Sequence, residues 1–166
     1  IKKALIFGPT FSEYERAVIL NKGKADYIFA DERNEFNIDI EKINISKKYD
    51  AVFICNPNNP TGALIAKKSI VRFMKKLSKK TLVIMDEVFM DFIHDTGNYS
   101  LSKEVKNFKN LLIIRSLTKF FSIPGLRVGY IVAYQNLILK LKLNRIPWSV
   151  NFFAQVIGKR LLSDKD

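Results

Sequence analysis

A chain of 166 residues, 48% of them apolar, is long enough to bury a core and too apolar to stay disordered. No apolar run approaches the ~20 residues of a membrane helix, and the single cysteine excludes a disulfide framework. The net charge of +12 invites a nucleic-acid partner, yet the lysines are scattered in pairs (Lys2/Lys3, Lys47/Lys48, Lys67/Lys68, Lys75/Lys76, Lys79/Lys80), the pattern of solvated helix faces in a chain that binds neither nucleic acid nor membrane.

In chain order, residues 4–7 form an apolar strand that stops at Gly8-Pro9-Thr10-Phe11. Ser12 and Glu15 then make a capping box for a helix through Leu20, which Gly23 ends. Residues 26–30 form a short strand, 31–35 a polar loop and 38–45 a short amphipathic helix. Residues 51–55 are a buried strand with Cys55 in its core, followed by Asn56-Pro57-Asn58-Asn59-Pro60-Thr61-Gly62. Apolar residues at 65, 70, 71, 73, 74 and 77 fall on one face of a helix. Residues 82–85 are a strand ending at Asp86-Glu87, 95–100 a loop and 101–108 a weak helix. A strand from Leu111 leads into Ser116, Thr118 and Lys119, and a second leaves from Val128 just after Arg127. Residues 136–143 and 151–162 are helical, separated by Pro147-Trp148.

Alternating strands and helices imply an α/β fold, a mostly parallel sheet with helices on both faces. Ligands of such sheets sit beyond the carboxyl ends of the strands, where the polar punctuation of this chain falls. No glycine-rich nucleotide loop occurs. A lysine on a turn between buried strands has an ammonium costly to desolvate, and such an amine is a nucleophile for aldehydes. Hydroxyls at Ser116 and Thr118 with the guanidinium of Arg127 suit a phosphate. With the aromatics Phe11 and Phe89, the amide of Asn59 and the carboxylate of Asp86, these groups meet the requirements of pyridoxal 5'-phosphate. The plain alternatives are a turn role for Asn59, a helix N-cap for Asp86, core positions for Phe11 and Phe89, and strand-end satisfaction for Ser116 and Thr118. Glu87 reads as structural, His94 as a loop residue and Cys55 as core.

The motifs NPNNPTG (56–62), DEVFMDF (86–92) and SLTKFFSIPGLRVG (116–129) resemble the fold-type I pyridoxal-phosphate enzymes of aminotransferase class I/II. The resemblance implies that Lys119 is the Schiff-base lysine, that Asp86 pairs with the pyridine nitrogen and that Asn59 contacts the ring hydroxyl. It implies a stacking role for Phe11 and phosphate contacts for Ser116, Thr118 and Arg127. Within the family, residues 115–127 (RSLTKFFSIPGLR) and 147–151 (PWSVN) are similar to L-threonine-O-3-phosphate decarboxylases of cobalamin biosynthesis, with histidinol-phosphate aminotransferases as near neighbours. Phe89 stands where most class I/II enzymes carry a tyrosine that bonds the ring oxygen, a departure that suits the decarboxylase branch. The single cysteine fits a reducing cytosol, and the resemblance further implies a homodimer acting on a small amino-acid phosphate. On this reading residues 1–166 are part of the large, cofactor-binding domain of a chain roughly twice as long, residues 151–166 begin the helix leading to a small domain, and the substrate-carboxylate site lies elsewhere. A fragment of this kind is expected to be inactive alone. A non-catalytic basic module is the remote alternative.

Overall fold

The computed structural model describes residues 1–45 and 48–163. Its elements are β1 (Lys3–Gly8), α1 (Glu13–Leu20), β2 (Lys24–Phe29), β3 (Ala51–Cys55), α2 (Lys67–Lys76), β4 (Leu82–Asp86), β5 (Leu111–Ser116), β6 (Gly129–Ala133), α3 (Gln135–Leu143) and α4 (Phe152–Ser163). The strands form one sheet in the order β2-β1-β3-β4-β5-β6. The pairings from β2 through β5 are parallel, and β6 runs antiparallel to β5. Sequence and structure therefore agree on a mostly parallel sheet with helices on both faces.

The central strands alternate their side chains between two cores, because successive residues of a strand point to opposite faces. Leu5, Val52, Ile54, Val83, Met85, Leu111 and Ile113 meet Ile70, Phe73 and Met74 of α2 on one face. On the other, Ala4, Ile6, Phe53, Cys55, Ile84 and Leu112 meet Tyr14 and Val18 of α1. A strand buried on both faces needs a continuous apolar run, which all five residues of β3 supply. The register sets Cys55 beside Asp86 and Asp86 beside Ile114, so these strands end level with one another. Ser116 pairs with Gly129, where a Cβ would lie 2.5 Å from the Arg115 carbonyl oxygen; only glycine lets β6 approach β5 this closely.

Several expected elements differ. Residues 38–45 form turns rather than a helix. Four β-branched isoleucines and an asparagine disfavour helix there, and Ile40, 1% exposed, is anchored in the α2-side core with Ile38, Ile43 and Ile45 against it. The capping box is not made. Ser12 has helical dihedrals (φ −65°, ψ −20°) with no side-chain cap bond, whereas a cap residue needs extended ones. The helix expected from Ile65 begins at Lys67, and the weak helix is a 3-10 turn, Ser102–Lys106. Shorter 3-10 turns, Glu32–Asn34 and Thr96–Asn98, lie inside the two expected loops. Lys47 and the end of the 151–166 segment (residues 164–166) lie outside the described residues. Among those described, no helix is long and apolar enough to cross a membrane.

Candidate active site

Four strand ends and their loops build one cavity. After β1, Phe11 is 45% exposed and packs its ring edge-on to Tyr14 in the first turn of α1, with centroids 5.7 Å apart. After β3, Asn56 is fully buried and closes its loop with two bonds to one residue: Nδ2 donates to the Ile65 carbonyl at 2.9 Å, and Oδ1 accepts the Ile65 N–H at 2.8 Å. Asn58 ties this loop to the β1 loop by donating to the Pro9 carbonyl at 2.9 Å. Gly62, at φ +72°, occupies the left-handed turn that L side chains avoid. Asn59 is thereby held half-buried on the cavity wall.

At the end of β4, Asp86 is buried and both its carboxylate oxygens are engaged. Oδ2 accepts the Tyr14 phenol at 2.6 Å and Oδ1 accepts the Val88 N–H at 3.0 Å. The N–H belongs to a turn, so Asp86 is not a helix cap. Burial, with the Cys55 thiol and Asp86 beside it, pushes the Tyr14 phenol far above its ordinary pKa. Burial first, then Asp86, also pushes the Cys55 thiol up. Beyond β5, the Ser116 and Thr118 hydroxyls lie 2.7 Å apart and the Thr118 N–H donates to Ser116 Oγ at 3.2 Å. Arg127 has left-handed dihedrals (φ 50°) and donates one N–H to the Pro124 carbonyl at 2.8 Å.

Phe11, Asn59, Asp86, Phe89, Ser116, Thr118, Lys119 and Arg127, every residue singled out from the sequence, line a single cavity of about 260 Å³. One expectation is corrected. Lys119 is exposed, so desolvation between buried strands is not what distinguishes its amine; the turn after β5 carries it to the open side of the cavity. Three lining residues went unrecognised: Tyr14, Cys55 and Val88. Phe11 precedes α1, so no helical spacing links Tyr14 to it in the sequence.

The surroundings support the cavity structurally. Glu87, fully buried, accepts from the Leu101 N–H at 2.7 Å and the Ser100 hydroxyl at 2.8 Å, with Arg115 Nε 3.6 Å away. Burial pushes its carboxyl above the usual range. Arg115 also donates to Asp91 at 3.1 Å, joining the loop after β4 to β5. His94 is exposed on its loop. Among the described residues no cluster of ligating side chains suits a metal ion.

The donor set fits pyridoxal phosphate. It offers a carboxylate for a ring nitrogen, an amine for an aldehyde, hydroxyls and a guanidinium for a phosphate, an amide for a ring oxygen and an aromatic face.

A profile of the family described as aminotransferase class I and II matches residues 2–166. A protein of Caldanaerobacter subterraneus subsp. tengcongensis, provisionally named as a threonine-phosphate decarboxylase, is 40% identical over 100% of this chain and 46% of its own length. The crystal structure of histidinol-phosphate aminotransferase from Clostridium acetobutylicum superimposes with a TM-score of 0.87 at 38% identity, covering 98% of this chain and 49% of that one. L-threonine-O-3-phosphate decarboxylase from Porphyromonas gingivalis does so at 0.84 and 30% identity, covering 97% and 46%. The chain thus spans about half the length of the relatives it matches.

Proposed function

The chain belongs to the aminotransferase class I and II family, and on that premise we propose that the intact protein is a pyridoxal-phosphate enzyme that decarboxylates an amino-acid phosphate, L-threonine-O-3-phosphate, in cobalamin synthesis. The observation that carries the cofactor assignment is the convergence of eight side chains from four strand ends on one cavity. The decarboxylase reading rests on Phe89, on residues 115–127 and 147–151, and on the 40% identity to the Caldanaerobacter protein. We further propose a cytoplasmic homodimer.

When bound, the cofactor supplies an aldehyde for the substrate amine and a protonated ring that draws electrons from the substrate α-carbon. The side chains supply the rest. Lys119 would offer an amine for the aldehyde and could move a proton at the substrate α-carbon. Asp86 holds the proton on the ring nitrogen, since a carboxylate favours the charged form of a neighbouring cation. Asn59 donates to the ring oxygen. Phe11 and Phe89, both on the cavity wall, would offer aromatic faces to the ring and exclude water. Ser116, Thr118 and Arg127 grip the phosphate with hydroxyls and a charged fork. Phe89 lacks the phenol of most relatives, a loss of about 0.5–1.5 kcal/mol for one neutral hydrogen bond. That is too small to select a reaction, so Phe89 marks lineage rather than mechanism.

The histidinol-phosphate aminotransferase likeness, at a TM-score of 0.87 and 38% identity, favours transamination as a second reading. Assay of the intact protein with L-threonine phosphate separates the two. Carbon dioxide release without any added keto acid is the expected result. Turnover only in the presence of 2-oxoglutarate, with no carbon dioxide, would establish the aminotransferase instead.

A further inference from the structure

We propose that Tyr14 is a positioning residue of the cofactor site, orienting Asp86 through its phenol and Phe11 through its ring. The proposal rests on the reading of the cavity as a pyridoxal-phosphate site. Tyr14 is 6% exposed, and its hydroxyl donates to Asp86 Oδ2 at 2.6 Å, joining α1 to the end of β4. A buried hydroxyl is costly unless bonded, and phenylalanine would fill the same core without that cost. The ring cannot swing away. It stacks on Phe53 at 5.4 Å and 19°, and meets Phe11 edge-on at 5.7 Å and 79°.

Two further observations make this contact more than packing. The other carboxylate oxygen of Asp86 is held by the Val88 N–H, so the Tyr14 bond completes a two-point hold that fixes the carboxylate plane. The Ser12 side chain makes no cap bond, so it does not tie the start of α1 to the site. The Tyr14–Asp86 bond does, linking the residue proposed to hold the ring nitrogen with the one proposed to cover the ring face.

The test is titration of the intact apoprotein with pyridoxal phosphate, followed by absorbance, for wild type, Tyr14→Phe, Asp86→Asn and the double variant. Tyr14→Phe should weaken cofactor affinity about tenfold, the worth of a hydrogen bond to a charged group, with the apoprotein melting temperature little changed. It should also move the pH at which the bound cofactor's absorption band changes. On the Asp86→Asn background the same substitution should cost less than about twofold, because the bond acts through the carboxylate. Wild-type affinity in Tyr14→Phe, or an equal loss on both backgrounds, would overturn the proposal and leave Tyr14 as core. If Tyr14→Phe melts early, Tyr14→Trp, which keeps an aromatic donor, must bind better than Tyr14→Leu for the proposal to stand. Failure of the wild type to bind cofactor at all would overturn the site reading itself, and the positioning role with it.

Discussion

Lys119 and Asp86 sit at opposite extremes of exposure in one cavity: the lysine is exposed and the aspartate buried with both oxygens bonded. An exposed amine can reach an incoming aldehyde, and a fixed carboxylate can hold a proton in one place. Lys119→Ala in the intact protein should abolish turnover and leave the cofactor bound only noncovalently. Borohydride reduction followed by peptide mapping checks this, and a label on any other lysine would refute it. Asp86→Asn should raise the barrier by roughly 3 kcal/mol, the scale of losing one preorganised electrostatic contact, measured as kcat. Cys55 gives a prediction of opposite sense. Its thiol pKa is raised, so the reactive thiolate is scarcer at any given pH than in a free cysteine. Iodoacetamide should label it slowly in the native protein and fast once denatured; equal rates would place the thiol outside the core. The six polar site candidates stood out because they punctuate apolar runs with groups that a buried position could not tolerate unpaired, whereas Phe11 and Phe89 carry no such group and were read from their place beside them. Tyr14 was not, because a tyrosine on a helix facing a sheet reads as core, and only its distance to Asp86 separates the two roles.

Elements were legible where one physical term dominated. The bounds of β3 were readable because a strand buried on both faces has no polar interruption, and its ends are fixed by Asp50 and Asn56. Residues 38–45 misled because a single buried side chain, Ile40, with apolar neighbours at 38, 43 and 45 mimics helical spacing while β-branching resists the helix. The capping box misled because Ser12 takes helical rather than extended dihedrals, which the Ser12–Glu15 spacing alone does not reveal. The loop after β3 offers a test at this scale. Asn56 satisfies both backbone groups of Ile65 and is itself fully buried. Asn56→Ala should cost about 1–3 kcal/mol, because it orphans a buried donor and acceptor, and should loosen the loop that carries Asn59. Chemical denaturation reads the first effect and cofactor titration the second. A variant as stable as wild type would mean that the two bonds to Ile65 do not hold this loop.

At the scale of the molecule, the described residues expose several large apolar side chains late in the chain. Ile146, Trp148, Phe152 and Phe153 are 77%, 95%, 71% and 68% exposed, and Leu143 is 86% exposed at the end of α3. Single exposed apolar residues are ordinary, but five within eleven positions of the chain are the kind of patch that a soluble protein covers. The chain spans about half the length of its relatives, 46% of the Caldanaerobacter protein and 49% of the Clostridium acetobutylicum structure. Lysine repulsion alone would not prevent association: with a net charge of +12 spread in pairs, the field is screened over about 8 Å at physiological salt. We propose that the intact protein sediments as a homodimer in which Trp148 is no longer open to solvent. Hydroxyl-radical footprinting should find Trp148 oxidised far more slowly in the intact native protein than after denaturation. A monomer with full activity would reject the dimer, and a Trp148 oxidised as fast as in the denatured chain would show that nothing covers this face.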